Sequence, residues 1–182
     1  GEEIELERPT TLPLDEKAET DLLRFTNGAW NDLVAARSTA LFETPTIHFL
    51  VRAFLADGMD EVMAHMTAIE AALGLEMDHK KWMRPKPDRH KKVSATDRVA
   101  ARLAALLNDS ASAQGYKDLF ELRSSFVHGR ARLLNVSTPM RVRARSLARR
   151  VASALVEMAA QSPTSSRADV MAALLDNGVQ FL

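Results

Sequence analysis

The chain has 182 residues, of which 46% are apolar and none is cysteine, and its 24 basic side chains equal its 24 acidic ones. That size and apolar content support one core, while the missing cysteines exclude disulfides and thiolate metal sites and fit a reducing, cytoplasmic setting. Only one Tyr and seven Gly argue against a β-sandwich, and the wealth of Ala, Leu, Met and Arg points to an all-α fold.

The balanced charge is unevenly spread. Residues 1–22 carry eight acids against Arg8 and Lys17, whereas residues 122–156 carry eight arginines and no acid. A one-sign arginine block attracts polyanions and loses that attraction as salt rises. No apolar run reaches the roughly 18 residues a membrane span needs, because Arg52 and Asp57 interrupt the best stretch, so no membrane association is expected. The chain starts at Gly1, which fits a processed start, a cloning remnant or a piece of something longer.

In chain order, residues 1–13 combine four Glu with Pro9 and Pro13 and read as an extended acidic lead-in. From Leu14 to Leu41, the positions Leu22, Leu23, Trp30, Leu33 and Val34 predict one or two helices broken near Asn27-Gly28. Residues 1–44 form an acidic, partly helical extension, and residues 45–182 a helical bundle. Thr44-Pro45 opens a helix whose Ile47, Leu50, Val51, Phe54 and Leu55 predict a single buried face. Asp57-Gly58 ends it. A second stripe, Met59, Val62, Met63, Met66, Ile69 and Leu73, predicts a core helix with Glu61 and Glu70 on its outside.

Between Glu76 and Val93 the periodicity stops, lysines and arginines accumulate, and Pro85 and Pro87 oppose a helix, which predicts a mobile cationic loop. Charge and the indole of Trp82 suit nucleic acid there, although a plain solvated loop has the same composition. Ser94 to Asp97 forms a capping signal for a helix to about Asn108, and a polar linker, Ser110 to Gly115, follows. The next helix carries Tyr116, Leu119, Phe120, Leu122, Phe126 and Val127 and stops at Gly129. Thr138-Pro139 starts the longest helix, closed by Pro163, with arginines 141, 145 and 149 along one stripe. A last helix, about Ser165 to Leu175, leaves an apolar tail, Val179, Phe181 and Leu182, to dock on the bundle.

The functional signal is Arg123-Ser-Ser-Phe-Val-His128-Gly129. RNA carries its own nucleophile, the 2′-hydroxyl. Cleavage therefore needs a proton-transfer group that titrates near neutrality and a cation for the charge gathering on phosphate. His128 and Arg123 supply those types without a metal. Residues five apart on an ideal helix are turned about 140° from each other, so the pair converges where the helix departs from α geometry near Gly129, or across a dimer. The bland reading of the same residues is a helix C-cap with cations at the negative end of the dipole. Arg84 and His90 form a second spaced pair, inside the cationic loop. Arg141 and Arg145 suit a phosphate-binding surface, or neutralisation by an acidic partner or the acidic N-terminus. His48 and His65 sit in helical stripes and read as packed or surface residues. No metal-ligand spacing or glycine-rich phosphate loop is present, so no cofactor is expected.

The segment Leu122 to Arg130 resembles the signature of HEPN domains (higher eukaryotes and prokaryotes nucleotide-binding), in which an arginine precedes a histidine by four to six intervening residues. Ser after the arginine and Gly after the histidine resemble the Apea-like branch, and the order of helices over roughly residues 45–176 is similar as well. The resemblance implies a homodimeric helical bundle whose two motif pairs share one cleft. In active members it implies a metal-independent endoribonuclease, of a kind found in bacterial defence or toxin systems with a protein partner such as an antitoxin. On this chain, His128 would transfer the proton and Arg123 would hold the scissile phosphate, with Ser124, Arg130, Arg132, Arg141 and Arg145 around the substrate. Ser124 stands where many nuclease members carry Asn or Asp. The alternative is a noncatalytic module of the same fold that binds RNA, a nucleotide or a protein.

Overall fold

A computed structural model gives the fold and describes residues 16–129 and 136–182. All regular structure among them is helical: α1 (Glu16–Arg37), α2 (Thr46–Phe54), α3 (Gly58–Leu73), α4 (Glu76–His79), α5 (Ala95–Leu107), α6 (Ser110–Val127), α7 (Thr138–Gln161) and α8 (Arg167–Gly178). The all-α expectation holds. None of these helices is long and apolar enough to cross a membrane.

The sequence pattern explains the core. Val62, Met66, Ile69 and Leu73 recur at the three-and-four spacing of one helical face, and all are fully buried. Around that face of α3 pack α2, α5, α6 and α7, while α5 carries α8 on its other side. Small residues let the elements close up. Gly178, at the end of α8, lies so near α5 that a Cβ there would sit 2.0 Å from the Ala101 carbonyl oxygen. Behind it, residues 179–181 form a short turn that packs Phe181 against the core, so the apolar tail docks as its composition predicts. Ala36 and Leu41 also join the core, from α1 and the turn after it.

Several local expectations change. The first helix does not break at Asn27-Gly28: α1 runs unbroken from Glu16 to Arg37. Gly28 has nothing within 4 Å of its would-be Cβ, so the glycine costs only its propensity, about 1 kcal/mol, on an open surface. The predicted linker at Ser110 is helix, because Asp109 caps it by accepting a hydrogen bond from the Ala111 N–H at 3.0 Å. The apolar stripe of α2 is largely uncovered: Thr46 and Ala53 are buried, whereas Phe54 is 79% and Leu55 81% exposed. This short helix leans chiefly on α3, and no further described element covers its remaining face.

The cationic loop is likewise not free. Asp78, buried at the end of α4, is gripped by both Nη atoms of Arg102, one of them at 2.9 Å, and Arg102 also donates to the carbonyls of Leu73 and Met171. Arg98, one turn earlier on α5, donates to Asp88 at 2.8 Å and to the His90 carbonyl at 2.7 Å. Arg84 folds back onto the carbonyls of Met77 and Asp78. His90 reaches α8, its Nε2 lying 2.5 Å from Asp176. Thus Arg84 and His90, the second spaced pair, are both engaged in holding the loop.

Candidate functional site

Helix α6 is fixed to the core by Tyr116 and Leu119, which places its last turn at the rim. There the chain departs from α geometry. The His128 N–H still bonds the Ser124 carbonyl at 3.0 Å, but the Gly129 N–H turns to Phe126 at 3.1 Å, and Gly129 adopts φ +63°. That left-handed conformation is what glycine supplies at a helix stop. His128 therefore stands at the cap, exposed, and its ring has no hydrogen-bond partner among the described residues.

Arg123 lies further inside. Its Nη1 donates to Glu70 Oε1 at 2.6 Å, its guanidinium covers the Phe120 ring at 5.8 Å, and its Nε is buried without a hydrogen-bond partner among the described residues. Glu70, expected on the outside of α3, is half-buried. Burial pushes its carboxyl above the ordinary range, while the charges of Arg123 and His79 pull it down. His79 thus belongs to the same electrostatic neighbourhood, which joins the start of the cationic loop to the motif arginine. Ser124 is half-buried beside them. Arg130 and Arg132 lie outside the described residues.

The remaining arginines are placed elsewhere. Arg145 donates to Glu61 Oε1 through Nη2 at 2.6 Å and Nε at 2.9 Å, and Arg141 donates to Glu61 Oε2 at 2.6 Å while its Nη2 meets Asp57 at 2.5 Å. Glu61 was expected to face solvent, yet it is 1% exposed. It is buried because two guanidinium groups from α7 saturate both of its oxygens. Burial alone would raise its pKa, and the bonds to Arg145 and Arg141 outweigh this and hold it below the ordinary carboxylate value.

Glu61 and Glu70 are nine residues apart on α3, which is about 14 Å along the axis and half a turn around it. The structure therefore gathers Arg141 with Arg145 on one face of α3 and Arg123 on the opposite face. Beside Glu61 a cavity of about 420 Å³ opens between α2, α3 and α7, lined by Leu50, Phe54, His65, Arg145 and Arg149. His65 is packed, the first of the two readings its stripe allowed, but neither ring nitrogen has a hydrogen-bond partner among the described residues. Burial lowers its pKa, reinforced by Arg145 and Arg149 and opposed by Glu61.

Sequence reasoning missed the two glutamates of α3 as arginine anchors. A signal existed for one of them: an acid whose neighbours three and four residues away are apolar faces the core, and Glu70 has Leu73 and Met66 there, both buried. Among the described residues, no group of three or more His, Asp or Glu side chains is arranged to hold a metal ion. Against known proteins, the chain matches no family model, no curated protein and no solved structure.

Proposed function

We propose that this chain is a metal-independent endoribonuclease domain of HEPN type that works as a homodimer, with His128 and Arg123 as its site. One observation carries the reading: an exposed imidazole with no hydrogen-bond partner among the described residues stands at the cap of α6, and a guanidinium about one and a half turns earlier is held in place by Glu70. His128 accepts the proton of the 2′-hydroxyl as that oxygen attacks the phosphorus, and the 5′-oxygen leaves with a proton from a second donor. One imidazole cannot accept and donate in the same step, so the partner copy's motif supplies the second. Arg123 gives one donor to Glu70 and keeps others for a non-bridging phosphate oxygen. The apolar surface left open at Phe54, Leu55 and Val127 supports association with a second copy.

The second reading, a noncatalytic binding module of the same fold, is favoured by the Arg123–Glu70 ion pair, since an arginine already matched to an internal carboxylate attracts phosphate less strongly. RNA incubated with chelator-treated protein separates the two. Cleavage leaving 2′,3′-cyclic phosphate ends, reduced roughly 10²- to 10⁴-fold by His128→Ala, is the expected result. Wild-type protein that cuts no RNA supports the module, and undiminished cleavage by the variant places the chemistry elsewhere.

A further inference from the structure

The cationic loop presents its charge in a sorted way. Arg84 and Arg98 turn inward to carbonyls and to Asp88, and Arg102 takes Asp78, so the acids of residues 77–93 are neutralised from within. What remains outward is Lys80, Lys81, Lys86, Arg89, Lys91 and Lys92, all exposed, around an indole that is 76% exposed. Lys80 Nζ lies 6.0 Å from the centre of the Trp82 ring and 2.5 Å from Glu76, which leaves the indole flanked by charge but not covered by apolar packing. A large aromatic held out to water among lysines, on a frame pinned by buried ion pairs, contributes nothing visible to the core.

We propose that residues 80–92 form a platform for single-stranded nucleic acid, in which a base stacks on Trp82 and the flanking lysines follow the phosphates. Single strands fit because their bases have free faces, whereas a duplex offers the platform only its backbone. The pinned frame favours binding, because less chain has to be ordered when the ligand arrives. The platform itself rests on aromatic and cationic chemistry, and it stands whether or not His128 cleaves.

The test is fluorescence anisotropy with labelled 12-nucleotide oligo-dT and oligo-U at several salt concentrations, the RNA arm in a His128→Ala background to keep it intact. Trp82→Ala weakens binding by roughly tenfold, and Trp82→Phe restores part of it. Lys81→Ala with Lys86→Ala weakens both ligands and flattens the salt dependence by about 0.7 in log–log slope for each charge lost. In a Trp30→Phe background, oligo-dT quenches the emission of Trp82. DNA lacks the 2′-hydroxyl that the cleavage chemistry needs, so the oligo-dT arm reads the platform independently of the nuclease. The proposal is overturned by full affinity in Trp82→Ala, by unquenched emission, or by equally tight binding of polyglutamate of matched length, which would make the loop a surface for acidic protein.

Discussion

Asp78 and Arg102 form a forked ion pair with both side chains out of water, and it fastens α4 to the middle of α5. Removing one member strands the other, and Arg102 also satisfies the Leu73 and Met171 carbonyls. Asp78→Ala and Arg102→Ala are each expected to lower stability by about 3–5 kcal/mol, read as a shift of the urea midpoint. Losses under 1 kcal/mol in both would mean that the pair is solvated.

His65 sets a different expectation. Its folded pKa lies below its ordinary value of 6.5, burial being the main cause, so the unfolded chain takes up a proton before the native one does. This contribution is complete above pH 6.5 and declines as pH falls toward the lowered folded value. His65→Leu should be neutral or stabilising at pH 7.5 and should lose less melting temperature than wild type between pH 7.5 and pH 5. Parallel pH profiles for the two proteins would contradict it.

Glu61 titrates in the opposite part of the acid range. Its folded pKa is below its ordinary value near 4.5, so the carboxylate stabilises above that pH and the benefit disappears as pH drops through the folded value. Glu61→Gln is expected to cost about 1–3 kcal/mol at pH 7, because the charge-assisted bonds from two arginines weaken, and to flatten the acid limb of the stability curve. Calorimetry from pH 3 to pH 7 measures both.

Gly178→Ala tests the close approach of α8 to α5. The added Cβ meets the Ala101 carbonyl on α5 at 2.0 Å, and backbone cannot step aside as a flexible side chain can. Destabilisation of about 1–3 kcal/mol is expected, whereas Gly28→Ala, in open space on α1, should be neutral or slightly stabilising. A thermal melt of the two variants side by side is sufficient.

Periodicity made the central helices legible because their burial is one-sided: Val62, Met66, Ile69 and Leu73 leave one face of α3 in every frame, and Ser94 and Gly129 punctuate where capping chemistry says they should. It failed where a second layer decides. Nothing local says that the stripe of α2 goes uncovered, and nothing local pairs Glu61 with arginines eighty residues later. The positions of Arg123 and His128 relative to the end of α6 were readable, since they depend on one helix and one glycine. Their electrostatic setting was not, because it depends on Glu70 arriving from α3. The loop misled for a related reason: its first residues, Glu76–His79, form the short helix α4 rather than loop, and the ties that hold the rest come from α5 and α8.

Arg167, at the first turn of α8, spreads one guanidinium over three carbonyls, those of Leu41, Ala71 and Gly74. Two backbone segments far apart in sequence, one at Leu41 and one at the end of α3, thereby share a single guanidinium, and the C-terminal end of α3 is closed off by a residue from the last helix. Amide protons around Ala71 to Gly74 should accordingly exchange with deuterium no faster than those of α8 itself, so that any event peeling off the C-terminus would also loosen the helix at the centre of the bundle.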